Sequence, residues 1–280
     1  MSRRIVFEEG VAPGLASALA DPERLLADPA ARPVKDHVRT AVSAVDVGGR
    51  TVYVKRFKPY AWYRRLEAAL LGSQARRAWR AAAELERAGF AVPPRLALVE
   101  TADFGLGGDS YLVSAAVAGA ESGVLFWRGL TGASAGRERR RVVGEAARFL
   151  RRFHDAGFYS KDANAGNFLV RSPEAGGIEI FALDLENVRR MRSVSRRRRL
   201  KNLVQLYRPL RTEVRRLDRV RFVSAYLSGA GDAARREEAR RAETSRWLAD
   251  LAELDRRKER EYRARGSAAS RRARSSVTPA

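Results

Sequence analysis

The stretch FYSKDANAGNFLV, residues 158–170, decides the fold class of this chain. It places Asp162 and Asn167 in a short loop of alanine, asparagine and glycine, and then runs directly into the apolar triplet Phe168–Val170. Asn, Asp and Gly are the usual residues of surface turns, so by itself the segment is typical of an ordinary loop before a strand. A functional role for the loop needs support from the rest of the chain.

A second apolar segment follows the loop and predicts a β-hairpin. Residues 168–170 and 178–183 are separated by RSPEAGG, which carries turn residues. A hairpin returns the end of its second strand to the start of its first. We therefore expect Asp184 beside Asn167, with Asp162 converging on them at one edge of an otherwise apolar hairpin.

Composition indicates a folded protein. At 280 residues and 45% hydrophobic content, the chain can bury a core as one large domain or two lobes. The absence of cysteine removes disulfides and thiolate metal sites, and two histidines leave little for a histidine metal site.

The amino terminus has acidic residues and a proline where a signal peptide would be apolar, and no run of about 18 apolar residues occurs. We expect a soluble, cytoplasmic protein.

The formal net charge of +22 is the strongest feature of the composition. Such a charge favours polyanionic partners: nucleic acid, an anionic membrane or a phosphorylated substrate. The excess of arginine over lysine is also what a GC-rich genome produces. Charge alone therefore does not choose among these partners.

The segment AVSAVDVGGRTVYVKRF predicts a second hairpin, with strands at 41–47 and 51–57 joined by Gly48-Gly49. Strand alternation puts Lys55 on the same face as two aromatic residues. A lysine in this position is either a solvated charge on an edge strand or a buried functional cation. The strand by itself favours the solvated charge.

The remaining patterns predict a sheet followed by helices. SQARRAWRAAAELERAGF predicts a helix stopped by Gly89, and strands are expected at 95–100 and 110–117. With the hairpin, four strands are placed, and we expect a five-stranded sheet with one helix. RERRRVVGEAARFLRRFHDAGF predicts an amphipathic helix that leads into the 158–170 loop. Near the carboxyl end, we expect a charged helix to dock through the apolar stripe Trp247, Leu248, Leu251 and Leu254.

Several of these motifs resemble the protein-kinase-like fold. KDANAGN resembles its catalytic loop, in which an Asp is followed five residues later by an Asn, and ALDLE resembles the segment with its metal-binding Asp. VYVKRF resembles the strand that carries the phosphate-binding Lys, and it precedes the long helix as expected.

Within that superfamily the chain is most similar to the lipopolysaccharide core kinases, the Kdo/heptose kinase-like group that includes InaA-like proteins. The resemblance covers residues 33–228, and its motifs match in order and spacing: ARRAWRAAAELERAGFAVPPRLAL, LRRFHDAGFYSKDANAGNFLV, FALDLENVR and SVSRRRRLKNLVQL. A lone Asp-x4-Asn would be weak support, whereas four motifs in order are strong.

The resemblance implies an α+β, bilobal protein-kinase-like fold, with a small β-rich N-lobe carrying one main helix and a mostly helical C-lobe. The expected domains are an N-terminal extension, the N-lobe, the C-lobe with the catalytic loop, a charged helix and a disordered basic tail; they span 1–32, 33–118, 119–230, 231–265 and 266–280.

The resemblance also implies an ATP-dependent phosphotransferase that uses Mg²⁺ and acts on a sugar hydroxyl of a lipopolysaccharide core or related envelope glycolipid. Asp162 would orient or accept the proton of the acceptor. Lys161 would either hold the transferring phosphoryl group or neutralise Asp162. The other assigned residues are Asn167 and Asp184 for Mg²⁺, and Lys55, Lys35, Arg39, Ala115 and Val117 for the nucleotide.

Departures from the family pattern leave alternatives open. Ser160 stands where relatives have a supporting His, and Ala78 stands where a Glu often pairs with the phosphate-binding Lys. Either Glu84 or Glu67 substitutes, or Lys55 has no such partner and the chain is a nucleotide-binding pseudokinase adaptor.

The nucleotide loop also departs from the family pattern. It is RPVKDHVRTAV, basic instead of glycine-rich, so that Lys35, His37 and Arg39 either contact phosphates or form an exposed basic turn. His154, at the end of an amphipathic helix, is expected to be a packed structural residue.

The segment after Asp184 favours a small-molecule or glycolipid acceptor over a polypeptide, because it enters a basic helix at once and lacks an Ala-Pro-Glu-like anchor. Arg196–Arg199 would bind an anionic glycolipid at the inner face of the cytoplasmic membrane. Alternatively they pair with acidic groups of the charged helix, such as Glu237, Glu238 and Glu243. Another kinase of this fold and a nucleic-acid-binding protein remain alternatives, although no nucleic acid is expected, and we expect a monomer.

Overall fold

The computed structural model describes residues 2–59, 61–103, 106–173, 176–228 and 235–275. The chain forms two compact units. The first unit comprises residues 1–123 and 167–190, and the second comprises residues 124–166 and 191–280.

The elements are numbered in chain order. The strands are β1 (Ser2–Phe7), β2 (Arg32–Asp36), β3 (Thr40–Val47), β4 (Arg50–Phe57), β5 (Arg95–Asp103), β6 (Leu106–Ala115), β7 (Glu121–Ser122), β8 (Phe158–Ser160), β9 (Phe168–Arg171), β10 (Glu179–Ala182) and β11 (Val188–Arg190). The helices are α1 (Pro13–Leu19), α2 (Pro22–Ala27), α3 (Trp62–Leu71), α4 (Gln74–Arg87), α5 (Gly123–Gly129), α6 (Ala135–Asp155), α7 (Arg196–Tyr207), α8 (Arg216–Leu227) and α9 (Arg235–Ser275). Short 3-10 turns span Ala165–Asn167, Leu185–Asn187 and Arg208–Leu210.

The first unit is built on an antiparallel sheet with the strand order β1-β5-β6-β4-β3-β2. The expected five strands are therefore six. Two strands lie outside the four segments placed from the sequence. Strand β2 occupies part of the segment interpreted as a nucleotide loop, and β1 comes from the segment expected to lie outside the N-lobe and pairs Ile5 with Val99. Leu19 of α1 is fully buried in the same core. The segment 1–32 is thus part of the sheet unit, because its apolar residues complete that core.

The hairpin between β3 and β4 forms as predicted. Gly48 and Gly49 have φ values of 58° and 74°, which the two-residue turn requires and glycine supplies without strain. Strand β4 lies between β3 and β6, so Lys55 is not on an edge strand. Its side chain is 15% exposed and its ammonium lies 5.0 Å from the centre of the Phe57 ring. The solvated charge favoured by the strand alone is wrong, because one strand cannot show how many neighbours flank it.

Helix α4 also forms as predicted and covers the sheet. The Ser73 hydroxyl accepts the Arg76 N–H at 3.0 Å to cap its start, and the chain leaves the helix at Gly89 with φ 78°. Its buried face is made of small residues and one leucine: Ala75, Ala78, Ala82 and Leu85. Helix α3, between β4 and α4, is an element that the sequence patterns did not predict.

The second predicted hairpin, β9–β10, belongs to the first unit. Phe168 pairs with Ala182, and the Leu183 N–H donates to the Asn167 carbonyl at 2.9 Å, so the strand ends meet as expected. The Ala182 N–H also donates to the Ala91 carbonyl at 3.1 Å. This grouping differs from the expected C-lobe of 119–230, because the hairpin hydrogen-bonds to the loop after α4.

The second unit is helical around α6. The predicted apolar stripe of α6 is buried, with Phe149, Leu150 and Phe153 at its centre, and α8 packs along it. Helix α9 packs on α7 and α8 through the buried Trp247 and Leu251, as expected for a docking helix. The helix continues to Ser275, beyond the boundary expected for a disordered tail. None of the described helices is both long and apolar enough to traverse a bilayer.

A buried polar network links three helices of the second unit. His154 Nδ1 lies 2.8 Å from the Tyr226 hydroxyl, and His154 Nε2 lies 3.1 Å from Asn202 Oδ1. These contacts fit a neutral imidazole that donates through Nε2 to the amide oxygen. Burial lowers the pKa of His154 to about 4, despite the hydrogen bond to Asn202. The expected packed, structural His154 is therefore what the structure contains.

The buried imidazole predicts acid sensitivity. Because the folded-state pKa of His154 lies below the unfolded-state value, the unfolded chain binds more protons, and stability falls as the pH falls from about 6.5 toward 4. The loss should reach on the order of 2–3 kcal/mol near pH 4.5. Urea unfolding at pH 7 and pH 4.5 measures it. His154→Gln should reduce this pH dependence and a replacement of the exposed His37 should not; equal profiles for all three proteins would contradict the assignment.

Candidate active site

The predicted phosphate-binding lysine lies in a buried ionic cluster in the first unit. Lys55 Nζ is 2.6 Å from Asp184 Oδ1 and 2.8 Å from Glu186 Oε1. The side chains of Asp184 and Glu186 are 25% and 10% exposed. The structure thus brings together Lys55 and Asp184, as the motifs predict, and adds a second carboxylate.

Burial and charge act against each other in this cluster. Burial lowers the pKa of Lys55, but the attraction of Glu186 and Asp184 outweighs it and raises the pKa above its ordinary value. Burial raises the pKa of Glu186 even though Lys55 opposes that shift. Glu186 Oε2 is buried and has no hydrogen-bond partner among the described residues. The cluster therefore holds a firmly protonated lysine and a carboxylate with one oxygen left for a further ligand.

The backbone after β10 places both carboxylates on the same lysine. Asp184 has φ 51°, a left-handed conformation that Asp tolerates better than most residues. Its carbonyl accepts the Asn187 N–H at 3.1 Å, and the resulting 3-10 turn packs against α4. This tight turn returns the side chain of Glu186 to Lys55.

The carboxylate partner of Lys55 is therefore Glu186, and not the expected Glu84 or Glu67. The position where a helical Glu often stands is Ala78, which is fully buried in the face of α4. Glu67 lies 3.9 Å from Arg77. Glu186 stands in the motif ALDLE, two positions after Asp184, whereas the family pattern places this Glu on the helix.

The predicted catalytic loop lies in the second unit and is held by its own side chains. The Asp162 N–H donates to the Ser160 hydroxyl at 3.1 Å, and Asn164 Nδ2 donates to Asp162 Oδ1 at 3.0 Å. Asn164 Oδ1 in turn accepts the Gly166 N–H at 2.9 Å. Asn164 thus orients the carboxylate of Asp162, a role that the motif comparison did not assign.

Helix α7 fixes the backbone just before Asp162. Asn202 Nδ2 donates to the Ser160 carbonyl at 2.7 Å, and Gln205 Nε2 donates to the Lys161 carbonyl at 2.7 Å. Asn202 is fully buried, whereas the side chains of Lys161 and Asp162 are exposed. The same helix carries the run Arg196–Arg199. The sequence patterns assigned no role to its two amide residues, Asn202 and Gln205.

Two further predicted nucleotide residues lie near the edge strand β2. Lys35 pairs with Val42 of β3, and Val42 pairs with Lys55 of β4. Residues directly opposite each other in an antiparallel sheet share a face, so Lys35 and Lys55 lie on one face, about 10 Å apart across two strand spacings. Arg39 follows β2 in an exposed turn, and its carbonyl accepts the Lys58 N–H at 2.9 Å.

The last predicted nucleotide residues follow β6. Ala115 ends that strand, and its N–H donates to the Pro94 carbonyl at 2.8 Å. The Val117 carbonyl accepts the Ala120 N–H at 3.2 Å. The N–H of Ala115 is therefore already used within the first unit. Asn167 ends the 3-10 turn before β9, where its carbonyl is bonded to Leu183.

Comparison with known proteins identifies the family of the chain. The profile of the lipopolysaccharide kinase (Kdo/WaaP) family matches residues 18–226, which is most of the chain. The chain belongs to this family. It is therefore a kinase, and the resemblance drawn from the motifs is confirmed. No curated protein sequence matches the chain.

A solved structure titled "WaaP in complex with acyl carrier protein" is similar to this lipopolysaccharide kinase family member. The match has a TM-score of 0.59 at 24% identity and covers 89% of this chain and 99% of the WaaP chain. The likeness confirms the predicted kinase-like α+β fold, with a sheet unit and a helical unit.

The ionic cluster makes a prediction about stability. Lys55→Met should lower the free energy of unfolding by about 3–5 kcal/mol, because it leaves the buried Glu186 without its cation. The double variant Lys55→Met/Glu186→Leu should recover part of that loss, since it removes the lysine and the more buried carboxylate, and the remaining Asp184 is the more exposed of the two. Urea unfolding measures both. Lys58→Met, whose partner Asp36 is exposed, is the control and should change little; a single Lys55 variant as stable as the wild type would rule out a desolvated pair.

Proposed function

We propose that this kinase transfers the γ-phosphoryl group of ATP to a sugar hydroxyl of a lipopolysaccharide core or related envelope glycolipid. The observation that supports it most is the cluster of Lys55 with Asp184 and Glu186, in a chain that belongs to the lipopolysaccharide kinase family. A kinase family implies ATP, whose phosphates require a fixed cation of this kind. The pseudokinase alternative loses its main support, because Lys55 has a buried carboxylate partner.

We assign the nucleotide phosphates to Lys55, with Lys35 on the same face of the sheet as a second cation. Arg39 and the exposed His37 lie in the turn that follows β2 and could add to this basic surface. Ala115, the last residue of β6, and Val117, two residues further on, are proposed to line the nucleotide site.

A divalent cation fits the residues around Asp184. Mg²⁺ prefers oxygen ligands, and Asn167 and Asp184 offer an amide and a carboxylate oxygen from chain ends that the β9–β10 hairpin brings together. The unpaired Oε2 of Glu186 is a third oxygen in the same turn. Among the described residues no three acidic or histidine side chains form a complete metal site, so nucleotide oxygens would complete the shell. When bound, Mg²⁺ would neutralise charge on the transferred phosphoryl group.

Asp162 is proposed as the residue that orients and accepts the proton of the acceptor hydroxyl. Its carboxylate is held by Asn164, and its backbone by Ser160, so it is positioned before substrate arrives. The exposed Lys161 either steadies the transferring phosphoryl group or balances the charge of Asp162.

The anionic acceptor is proposed to contact helix α7. Two of its four arginines have partners within the second unit: Arg196 pairs with Asp250 of α9, and Arg199 pairs with Asp155 at 2.8 Å. Of the expected acidic partners, Glu243 forms no ion pair with a described side chain, and the side chains of Glu237 and Glu238 lie outside the described part of the structure. The exposed residues left for an acceptor are Arg197, Arg198 and Lys201. Such an acceptor would place the kinase at the cytoplasmic face of the inner membrane.

The assignment of Asp162 predicts a large loss of activity. Asp162→Ala should reduce phosphoryl transfer by roughly 10²- to 10⁴-fold, the typical contribution of a positioned general base. Transfer of radiolabelled phosphate from ATP to the envelope glycolipids of the source organism, with a protein panel alongside, measures this and the acceptor class. Asp46→Ala, in an exposed pair with Arg32, should keep wild-type activity. Unchanged turnover in the Asp162 variant would refute the catalytic assignment. Radiolabel found on proteins alone would refute a glycolipid as the acceptor.

The cation site predicts a different signature, in nucleotide binding. Asp184→Ala and Asn167→Ala should weaken the Mg²⁺-dependent binding of ATP, whereas Ser160→Ala should leave it nearly unchanged. The triple variant Arg197→Gln/Arg198→Gln/Lys201→Gln is the matched control; it should keep nucleotide affinity and raise only the acceptor KM. Titration calorimetry with and without Mg²⁺ measures the affinities, and equal values in all variants would argue against this metal site.

A further inference from the structure

Helix α3 packs on the sheet through its smaller and polar side. Gly107 of β6 allows the close approach, because a Cβ there would lie 2.7 Å from Ala68 Cβ and 3.1 Å from the Arg65 carbonyl. Arg65 Nε donates to the Gly107 carbonyl at 3.2 Å. The acidic residue of α3, Glu67, is half-buried and lies 3.9 Å from Arg77 of α4. The inward side of this helix is therefore fixed by glycine, alanine and charged groups.

The outward side of α3 carries its large apolar residues. Trp62, Leu66 and Leu70 follow one another at four-residue spacing, which places them in one stripe. The exposed fractions of the stripe and its neighbours are high: Trp62 76%, Tyr63 48%, Leu66 43%, Leu70 74% and Leu71 70%. This is the reverse of the usual orientation, in which an amphipathic helix turns its apolar side to the core. A contiguous apolar surface of this kind indicates a contact with something outside the chain.

The border of the stripe is basic. A concave surface after the helix is lined by Leu70, Leu71, Arg76 and Arg80. Arg76 is bound to Glu100, but Arg80 is exposed and forms no ion pair with the described residues. The chain as a whole carries a net charge of +22. The surface therefore combines an apolar stripe with a free cation and an attractive field for anions.

We propose that α3 is a membrane-contact helix that lies flat on an anionic phospholipid surface. Trp62 and the leucines would enter the boundary between headgroups and acyl chains, and Arg80 would lie at the level of the lipid phosphates. Trp and Tyr at one end of the stripe suit this boundary, where one part of the ring is in apolar surroundings and the other is wet.

The chemistry of the stripe favours lipid over a protein partner. A specific protein interface needs about one hydrogen bond per 100–200 Å² around its apolar centre. Among the residues of this side whose side chains are described, the polar groups are the indole N–H of Trp62 and the hydroxyl of Tyr63, both at one end of the helix. Binding to a lipid surface requires apolar side chains that insert and cations at their border. Helix α3 supplies the apolar side chains, and Arg80 of α4 supplies the cation. This contact surface lies on a different element from the residues assigned to phosphoryl transfer.

Vesicle co-sedimentation of the full-length protein, without nucleotide or acceptor, tests the proposal. Leu70→Gln/Leu71→Gln should reduce partitioning onto phosphatidylglycerol-containing phosphatidylcholine vesicles by about tenfold or more, because two leucines no longer enter the apolar boundary. Val38→Gln/Leu217→Gln is the matched control, since these side chains are 79% and 62% exposed elsewhere. It should partition like the wild type. Arg80→Gln should cause a smaller loss that disappears at high salt.

Each of the following outcomes would overturn the proposal. The first is wild-type partitioning by the Leu70/Leu71 variant, and the second is no partitioning by the wild type at any phosphatidylglycerol content. The third is loss of binding only in Arg197→Gln/Arg198→Gln/Lys201→Gln, which would assign the membrane contact to α7. Binding of purified acyl carrier protein that requires Leu70 and Leu71, with no vesicle binding, would instead assign the stripe to an acidic protein. Nucleotide affinity of the Leu70/Leu71 variant should stay at the wild-type value, so a failed membrane contact is distinguishable from a failed kinase assignment.

A spectroscopic readout places the contact on α3 directly. Lipids brominated in the acyl chain should quench part of the tryptophan fluorescence of the wild type, and Trp62→Phe should lose that quenching. Of the other three tryptophans, Trp127 and Trp247 are each 5% exposed, and Trp79 is half-buried with Arg95 over its ring, so these should contribute little to it. Quenching that survives in the Trp62 variant would place the inserted residue elsewhere and overturn the assignment.

Discussion

The buried charge of Lys55 is the constraint on which the first unit depends. An ammonium group in the middle of a sheet costs several kcal/mol unless carboxylates compensate it at close range. Asp184 and Glu186 do so, and they can because the β9–β10 hairpin ends where Asp184 adopts a left-handed conformation. The sheet, the hairpin and the turn beneath α4 are thereby fixed to one another through a single side chain.

The same interaction explains the alanine-rich face of α4. Because Glu186 supplies the second carboxylate from the turn, α4 does not need an acidic residue facing Lys55. Ala78 and Ala82 instead allow the helix to pack closely against its surroundings, and both are buried. Ala78, which stands where relatives often have a Glu, therefore does not leave Lys55 without a second carboxylate. The turn after β10 supplies that charge instead of the helix. The arrangement also lets Asp184 exchange its contact with Lys55 for another cation without leaving the lysine unpaired.

Sequence patterns correctly predicted the turns, helix ends and hairpins that depend on residues close to one another in the chain. The Gly48-Gly49 turn, the extent of α4 and the β9–β10 hairpin follow from turn chemistry, capping and apolar periodicity, and all three formed as expected. Tertiary neighbours were not predictable in this way. The pairing of β1 with β5 needs a partner about ninety residues away, which is invisible to short-range patterns.

Charges were the least predictable part of the candidate site. The sequence does not show which acidic residue an arginine will contact. In the run Arg196–Arg199, Arg196 pairs with Asp250 and Arg199 pairs with Asp155. In the same way, the motif comparison found Asp162 but not Asn164, because an asparagine that binds a neighbour two residues away looks like any loop asparagine.

The buried Asn202 has a consequence for which sequences this kinase can tolerate. Its amide group donates to the Ser160 carbonyl and to Gln205 Oε1, and its oxygen accepts from His154 and from the Ser160 N–H. Both donors and both lone pairs of one carboxamide are therefore in use. Aspartate has the same shape but no donor, and glutamine has the same groups on a longer stem. No other side chain can saturate these four contacts, so the path of the backbone into the predicted catalytic loop depends on a residue without a substitute.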